Sequence, residues 1–224
     1  IANPPRATTT EGRTLTPNEA RVFLVAVRGH RLEAAFVVAL TCGLRVSELL
    51  GLGWDCVQLD ATPPRITVKR GLKYVPGTGL LLSDVKTLKS RRTIHLPLAA
   101  TATLTTHRKA HKAERIAAGT MWQTDPLGVD LVFRATNGAA LDPSNFRKEL
   151  SKATTGAGLG HLAPHALRHS AASILFAQGL PLKVISETLG HSSITVTADI
   201  YTRLMDDSRA EAATAMDRMI SGAQ

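Results

Sequence analysis

Apolar positions recur at three- and four-residue spacing along most of this chain, which predicts helices, and short β-branched or alternating runs between them predict strands. Thr16-Pro17-Asn18-Glu19 marks a helix start, with Thr as N-cap, Pro at the first position and Glu at the third, and the helix runs on through Arg21–Val27. Leu32–Cys42 is nearly all apolar and stops at Gly43, so this helix is expected to be buried on most sides. Trp54–Leu59, Arg65–Lys69 and Thr93–Leu96 are separated by turn residues and predict a small antiparallel sheet. Ala99–Gly119 reads as a long basic helix, Leu131–Phe133 as a short apolar segment, and Asp142-Pro143 as the start of a helix running through Leu150 and Lys152. Pro164 opens another, in which Ala166, Leu167, Ala171, Ile174 and Leu175 recur at helical spacing until Gly179. Pro181 opens the next, apolar at Leu182, Ile185 and Leu189 and ended by Gly190. A short helix then carries Tyr201, and Asp206, Asp207 and Ser208 cap a last one striped by Ala212, Ala213, Met216, Met219 and Ile220. Ile1–Arg13 is rich in Pro and Thr without periodicity and reads as a linker or frayed tail.

The pattern is that of a mainly α (α+β) protein with a small antiparallel sheet, and 224 residues suffice for one sizeable domain with appendages. With 27 Lys and Arg against 18 Asp and Glu, the net charge of +9 points to a polyanionic partner. No apolar run is long enough to span a bilayer and no signal peptide is visible, so a soluble, cytoplasmic protein is expected. Cys42 and Cys56 suggest neither a disulfide framework nor a zinc pattern, in keeping with a reducing compartment. The first residue is Ile, which suggests a fragment of a longer protein.

The chemistry concentrates between Pro164 and Leu204. His165 and Arg168 lie three apart and share a helix face. His191 follows the helix-ending Gly190 directly, and Tyr201 comes ten residues later. Imidazoles and a guanidinium can surround a phosphate, and a phenol can attack it. Only about a thousandth of free Tyr is phenolate at pH 7, so such a nucleophile needs a base or a strong field nearby. Taken singly, each of these residues also fits a helical bundle with a capping His and a surface Tyr. His107 and His111, and His161, His165 and His169, have the four-residue spacing of metal ligands, but no third-ligand pattern accompanies them and no metal is expected. There is no G-x-x-x-x-G-K-[ST] loop and no G-x-S-x-G elbow, so nucleotide hydrolysis and α/β-hydrolase chemistry have no support.

Together the boxes His165-Ala-Leu-Arg168-His169, Leu189-Gly-His191-Ser-Ser193 and Tyr201 resemble the catalytic region of the tyrosine recombinases, the phage integrase family. Upstream, Thr41-Cys-Gly43-Leu-Arg45-Val-Ser47-Glu48-Leu-Leu50-Gly-Leu52 resembles that family's first arginine box. Lys86-Thr-Leu-Lys89-Ser-Arg91-Arg92 resembles the hairpin that carries its catalytic lysine, here lengthened by GLKYVPGTGLLLSD. Ala166 departs from the acidic residue many members have there, at a position without chemistry. The resemblance covers Thr14 to Leu204 and implies the helical catalytic domain of these recombinases over residues 14–205. It further implies a C-terminal helix, 206–224, that is docked in place or exchanged between protomers, and a core-binding domain absent from this chain.

On that resemblance Tyr201 attacks the scissile DNA phosphate, giving a 3′-phosphotyrosyl link and a free 5′-hydroxyl. Arg45, Arg168 and His191 bind the phosphate oxygens without a metal or other cofactor. Lys86 protonates the leaving oxygen, with Lys89 as the alternative, and His165 accepts the tyrosine proton. Glu48 holds Arg45 in place, His169 packs and orients, and Lys89, Arg91 and Arg92 face the DNA backbone. The implied partners are double-stranded attachment sites of a mobile element, with accessory DNA-bending proteins. The enzyme is implied to be a homotetramer on DNA and a monomer without it, in the bacterial nucleoid. A type IB topoisomerase shares the residue set, but the L-G-H-S-S turn and the R-x-S-E-L box favour the recombinase. A catalytically silent DNA-binding regulator would have no need of Tyr201.

Overall fold

The computed structural model describes residues 13–85, 91–125 and 127–190. All of the linker or tail 1–13 except Arg13, together with Lys86, Lys89, His191, Tyr201 and the C-terminal helix 206–224, lies outside these residues.

The helices begin and end where the Pro and Gly punctuation places them. Helix α1 is Pro17–Ala26. The Glu19 amide donates to Thr16 Oγ1 at 3.2 Å and the Thr16 amide to Glu19 Oε2 at 2.9 Å, a reciprocal cap that satisfies two otherwise orphaned donors. Helix α2, Glu33–Cys42, is the centre of the molecule, with Ala34 to Leu40 and Cys42 all buried. It packs against α1, against the short α3 (Val46–Leu50), against α4 (Leu98–Ala118) and against α6 (Pro164–Ala177). Because neighbours surround α2, its sequence shows no polar face. Helix α5, Pro143–Gly156, is capped by Asp142, whose Oδ1 accepts from the Ser144 amide at 2.6 Å. Helix α7, Leu182–Leu189, packs on α6 through a small apolar cluster of Ala171, Ala172, Ile185 and Leu189.

The strands among the described residues form two antiparallel sheets rather than one. After a 3₁₀ turn at Trp54–Cys56, β1 (Val57–Gln58) pairs with β2 (Arg65–Val68), and β2 pairs with β5 (Arg92–His95). Ile66 faces Ile94 across β2 and β5, and both are buried. The segment expected only to lengthen the basic hairpin is a hairpin of its own, β3 (Arg70–Val75) with β4 (Gly79–Asp84), in the register Leu72↔Leu82. The Pro76-Gly77 turn between two β-prone runs is its signal in the sequence. The hairpin packs on α3, where a Cβ on Gly51 would lie 2.8 Å from the Gly71 Cα. The fold is thus mainly helical, with small antiparallel sheets beside the helix that Arg45 begins.

Candidate active site

Arg45 is the N-cap residue of α3, and Glu48 is the third residue of that helix. Glu48 reaches back so that its Oε2 accepts the Arg45 amide at 3.0 Å, while Oε1 accepts Arg45 Nη1 at 2.8 Å. The opposite side of the same carboxylate is bridged by Arg92 from β5, with Nη1 to Oε1 at 3.1 Å and Nη2 to Oε2 at 2.9 Å. One carboxylate, 5 % exposed, is therefore shared by two guanidiniums. Arg168 comes from the buried face of α6, its Nη1 donating to the Gly43 carbonyl at 2.7 Å.

Helix ends supply the rest of the compensation. Gly43 caps the C-terminus of α2 and Gly190 that of α7, both in the left-handed region at φ 60° and 68°. The Gly43 carbonyl faces Arg168 and the Gly190 carbonyl accepts Arg45 Nη2 at 3.0 Å. Arg92 Nε donates to the Thr188 carbonyl at 2.8 Å. The negative ends of two helix dipoles thus lie against three like charges. Both glycines also permit close approach: a Cβ on Gly43 would lie 2.2 Å from Leu189 Cδ2, and one on Gly190 would lie 2.7 Å from Arg92 Nη1.

Among the described residues, one carboxylate beside three guanidiniums leaves the cluster two positive charges in excess. Burial, then the positive charge of Arg45, pulls the Arg168 guanidinium down to about 9, which leaves it cationic at neutral pH. Its side chain is almost wholly buried, and Nη2 has no hydrogen-bond partner among the described residues. A buried, half-bonded cation of this kind is costly unless an anion reaches it. His165 sits one turn before Arg168. Burial, then the charges of Arg168 and Arg45, lower its pKa, so the imidazole is neutral at pH 7 and able to accept a proton. For Glu48, burial pushes the pKa up, but the hydrogen bonds and charge of Arg92, then the backbone and side chain of Arg45, outweigh it and hold the group ionised. The arrangement is an anion seat with an adjacent base.

Comparison with known proteins shows the family of the chain. The sequence matches the profile described as the phage integrase family over residues 13–208. The chain belongs to that family. A tyrosine recombinase XerC-like protein of Caldanaerobacter subterraneus subsp. tengcongensis is 35 % identical over 211 residues, covering 91 % of this chain and 53 % of that protein. An integrase of Streptomyces ambofaciens is 36 % identical over 199 residues, covering 84 % of this chain and 48 % of that one. The chain therefore spans about half the length of these curated relatives. Among solved structures, the Tn1549 transposon integrase in complex with transposon right end DNA superposes with a TM-score of 0.76 at 23 % identity, covering 93 % of this chain and 66 % of that one. The XerA recombinase superposes with a TM-score of 0.70 at 23 % identity, covering 96 % and 66 %. Their likeness is one of fold, the helical tyrosine recombinase catalytic domain with its small sheet.

Of the site residues inferred from the integrase boxes, the structure brings Arg45, Glu48, His165 and Arg168 together, although Arg45 and Arg168 stand on opposite sides of the whole sheet region in sequence. His169 packs beside His165, with ring centroids 6.4 Å apart. Arg91 is exposed, its one ion pair among the described residues a 3.5 Å approach to Asp84. Arg92 requires correction: it does not face outward toward a DNA backbone but is 7 % exposed and bound to Glu48 and Thr188. The strand itself holds the signal, since Arg92 is two residues from the buried Ile94 and so lies on the same face. His107 donates from Nε2 to the Val132 carbonyl at 2.8 Å, and its ring is stacked between Trp54 and His111. Arg134 belongs to none of the boxes and has no signal in the sequence. It is fully buried, and its guanidinium ties the carbonyls of Leu131 and Gly138 to Asp125 and Asp130. No helix among the described residues is long and apolar enough to cross a membrane.

Proposed function

We propose that this chain carries the catalytic site of a site-specific DNA recombinase that cuts and rejoins strands through a 3′-phosphotyrosyl intermediate. The observation that carries the reading is the cluster of Arg45, Arg92 and Arg168 at the carboxylate of Glu48, with Arg168 Nη2 buried and without a hydrogen-bond partner among the described residues. A phosphodiester supplies the missing negative charge, and as charge grows on its oxygens in the transition state the fixed donors of Arg45 and Arg168 stabilise it. The Tyr201 oxygen attacks phosphorus and gives its proton to the neutral His165. The bond to the 5′-oxygen breaks, and that oxygen takes a proton from Lys86. His191 follows Gly190, whose carbonyl Arg45 holds, and is assigned as a third donor to the phosphate. The energy of the broken phosphodiester is kept in the phosphotyrosyl bond, so rejoining needs no nucleotide.

The similarity to integrases, among them a transposon integrase bound to its transposon end, supports a mobile element's attachment sites as the substrate. The exposed Arg91 is assigned to the DNA backbone together with Lys89. Four protomers on two duplexes, a monomer in the absence of DNA, and a further DNA-clamping domain beside this one complete the proposal.

The test is incubation with a nicked duplex that traps the cut strand. A covalent protein–DNA adduct is expected from the wild type and none from Tyr201→Phe, which should still bind DNA. An adduct that persists in Tyr201→Phe would refute the nucleophile. DNA binding by the wild type with no adduct at all would favour the silent regulator.

A further inference from the structure

Arg92 stands at the junction of the two halves of the site, and its three hydrogen bonds among the described residues go to both. Two of its nitrogens grip Glu48, the group that holds Arg45 on the α3 side. The third, Nε, holds the Thr188 carbonyl in the last turn of α7, two residues before the Gly190 carbonyl taken by Arg45. The stem of the side chain lies where a Cβ on Gly190 would lie, 2.9 Å from Arg92 Cδ. With 7 % of the side chain exposed, the guanidinium is directed inward rather than offered to a duplex.

We infer that Arg92 is a positioning residue that clamps the C-terminal cap of α7 to the Glu48–Arg45 pair, and so sets where the chain leaves Gly190 relative to the phosphate-binding arginine. The inference rests on the recombinase reading above and deepens it, because His191 is the next residue. Arg92 itself does not touch the substrate. Only a planar fork can make these contacts together, because a lysine ammonium is a point charge that reaches Glu48 but cannot also hold Thr188 at the angle that Nε does. Two anchors then fix the cap, Arg45 on Gly190 and Arg92 on Thr188, and both depend on one carboxylate. Loosening either end moves a donor by a fraction of an ångström to an ångström at the reacting phosphate, a displacement that typically costs on the order of 100-fold in rate.

The experiment compares wild type, Arg92→Met and Arg92→Lys on a nicked duplex whose core sequence is selected by binding from a random pool. In Arg92→Met the single-turnover cleavage rate at saturating DNA should fall about 100-fold, while the DNA dissociation constant stays within about twofold. Arg92→Lys should fall at least about tenfold, and it carries the test if the methionine variant does not fold, since it keeps charge and stem. Glu48→Gln should cost less in the Arg92→Met background than in the wild type, because the two act through one contact. Wild-type cleavage by Arg92→Lys would show that charge alone suffices and would overturn the clamp. A weaker dissociation constant with its salt slope reduced by about one, and an unchanged saturated rate, would make Arg92 a phosphate contact instead. A second readout is independent of any DNA chemistry. The Gly190 amide donates to the Ser186 and Glu187 carbonyls at 2.9 and 3.1 Å, and its hydrogen exchange should speed at least about tenfold in Arg92→Met while α1 amides are unaffected. Unchanged exchange at Gly190 overturns the inference even in a protein that cuts no DNA. Faster exchange together with a wild type that cuts no DNA refutes the recombinase reading and leaves the clamp standing.

Discussion

Glu48→Gln keeps the shape of the side chain and removes the charge that two arginines share. In the wild type the carboxylate accepts four hydrogen bonds from the described residues, from the Arg45 amide, Arg45 Nη1 and both terminal nitrogens of Arg92. A glutamine offers one carbonyl oxygen, and its amide nitrogen must then point at a guanidinium donor. Arg92, nearly fully buried, is left as an uncompensated charge beside Arg45 and Arg168. Breaking a buried pair by removing one partner costs about 3–5 kcal/mol, and the retained carbonyl places this case near the lower end. At about 2–4 °C per kcal/mol for a chain of this size, the melting temperature should fall by about 6–12 °C at pH 7. The acid response supplies the second half of the test. Because the folded-state pKa of Glu48 lies below its ordinary value, its contribution is fully present above the unfolded pKa, near 4.5, and is lost as pH falls through the depressed folded value. The gap in stability between wild type and Glu48→Gln should therefore be constant from pH 7 to about 5 and close below that. Paired melts by circular dichroism across about pH 3–7 measure it. A variant that melts within about 1 °C of the wild type at pH 7, or a gap that does not close in acid, refutes the claim that this carboxylate holds the arginine cluster together.

Other perturbations test other parts of the molecule. Lys86→Ala should lose cleavage of ordinary DNA and recover it on a 5′-phosphorothiolate substrate, whose sulfur leaves without a proton, whereas Arg45→Ala should not recover. Rescue confined to Lys89→Ala would move the general acid to that residue. Gly51→Ala should lower stability by about 1–3 kcal/mol in urea titration, because its methyl meets the Gly71 backbone at 2.8–2.9 Å and must push the β3–β4 hairpin off α3. Unchanged stability there would mean that the hairpin contributes nothing to the seating of α3. Arg134→Met should cost about 3–5 kcal/mol by leaving Asp125, Asp130 and several carbonyls without their donor, with the loss visible in a thermal melt and DNA cleavage per folded molecule unchanged. A cleavage defect in protein that remains folded would instead tie this region to the active site.

Much of this is readable in the sequence, because the signals involved are local. Pro17, Pro143 and Pro164 at helix starts, and Gly43 and Gly190 at helix ends, act through φ and missing donors that each residue carries with it. The order of the boxes around Arg45, Arg168, His191 and Tyr201 points to the family that the wider comparison shows. The alternation around Ile94 even holds the orientation of Arg92, which the run of basic residues obscures by suggesting a solvated cationic surface. What tertiary structure alone decides is the partnership of groups far apart in the chain. Nothing near Arg168 in sequence says that its guanidinium will bond the carbonyl of Gly43, or that the cap of α7 will be held by Arg45 and Arg92. A charge in a sequence has a sign but no address. It is the packing of α2, α6 and α7, driven by apolar burial that is indifferent to those charges, that brings two helix ends and one carboxylate to three arginines.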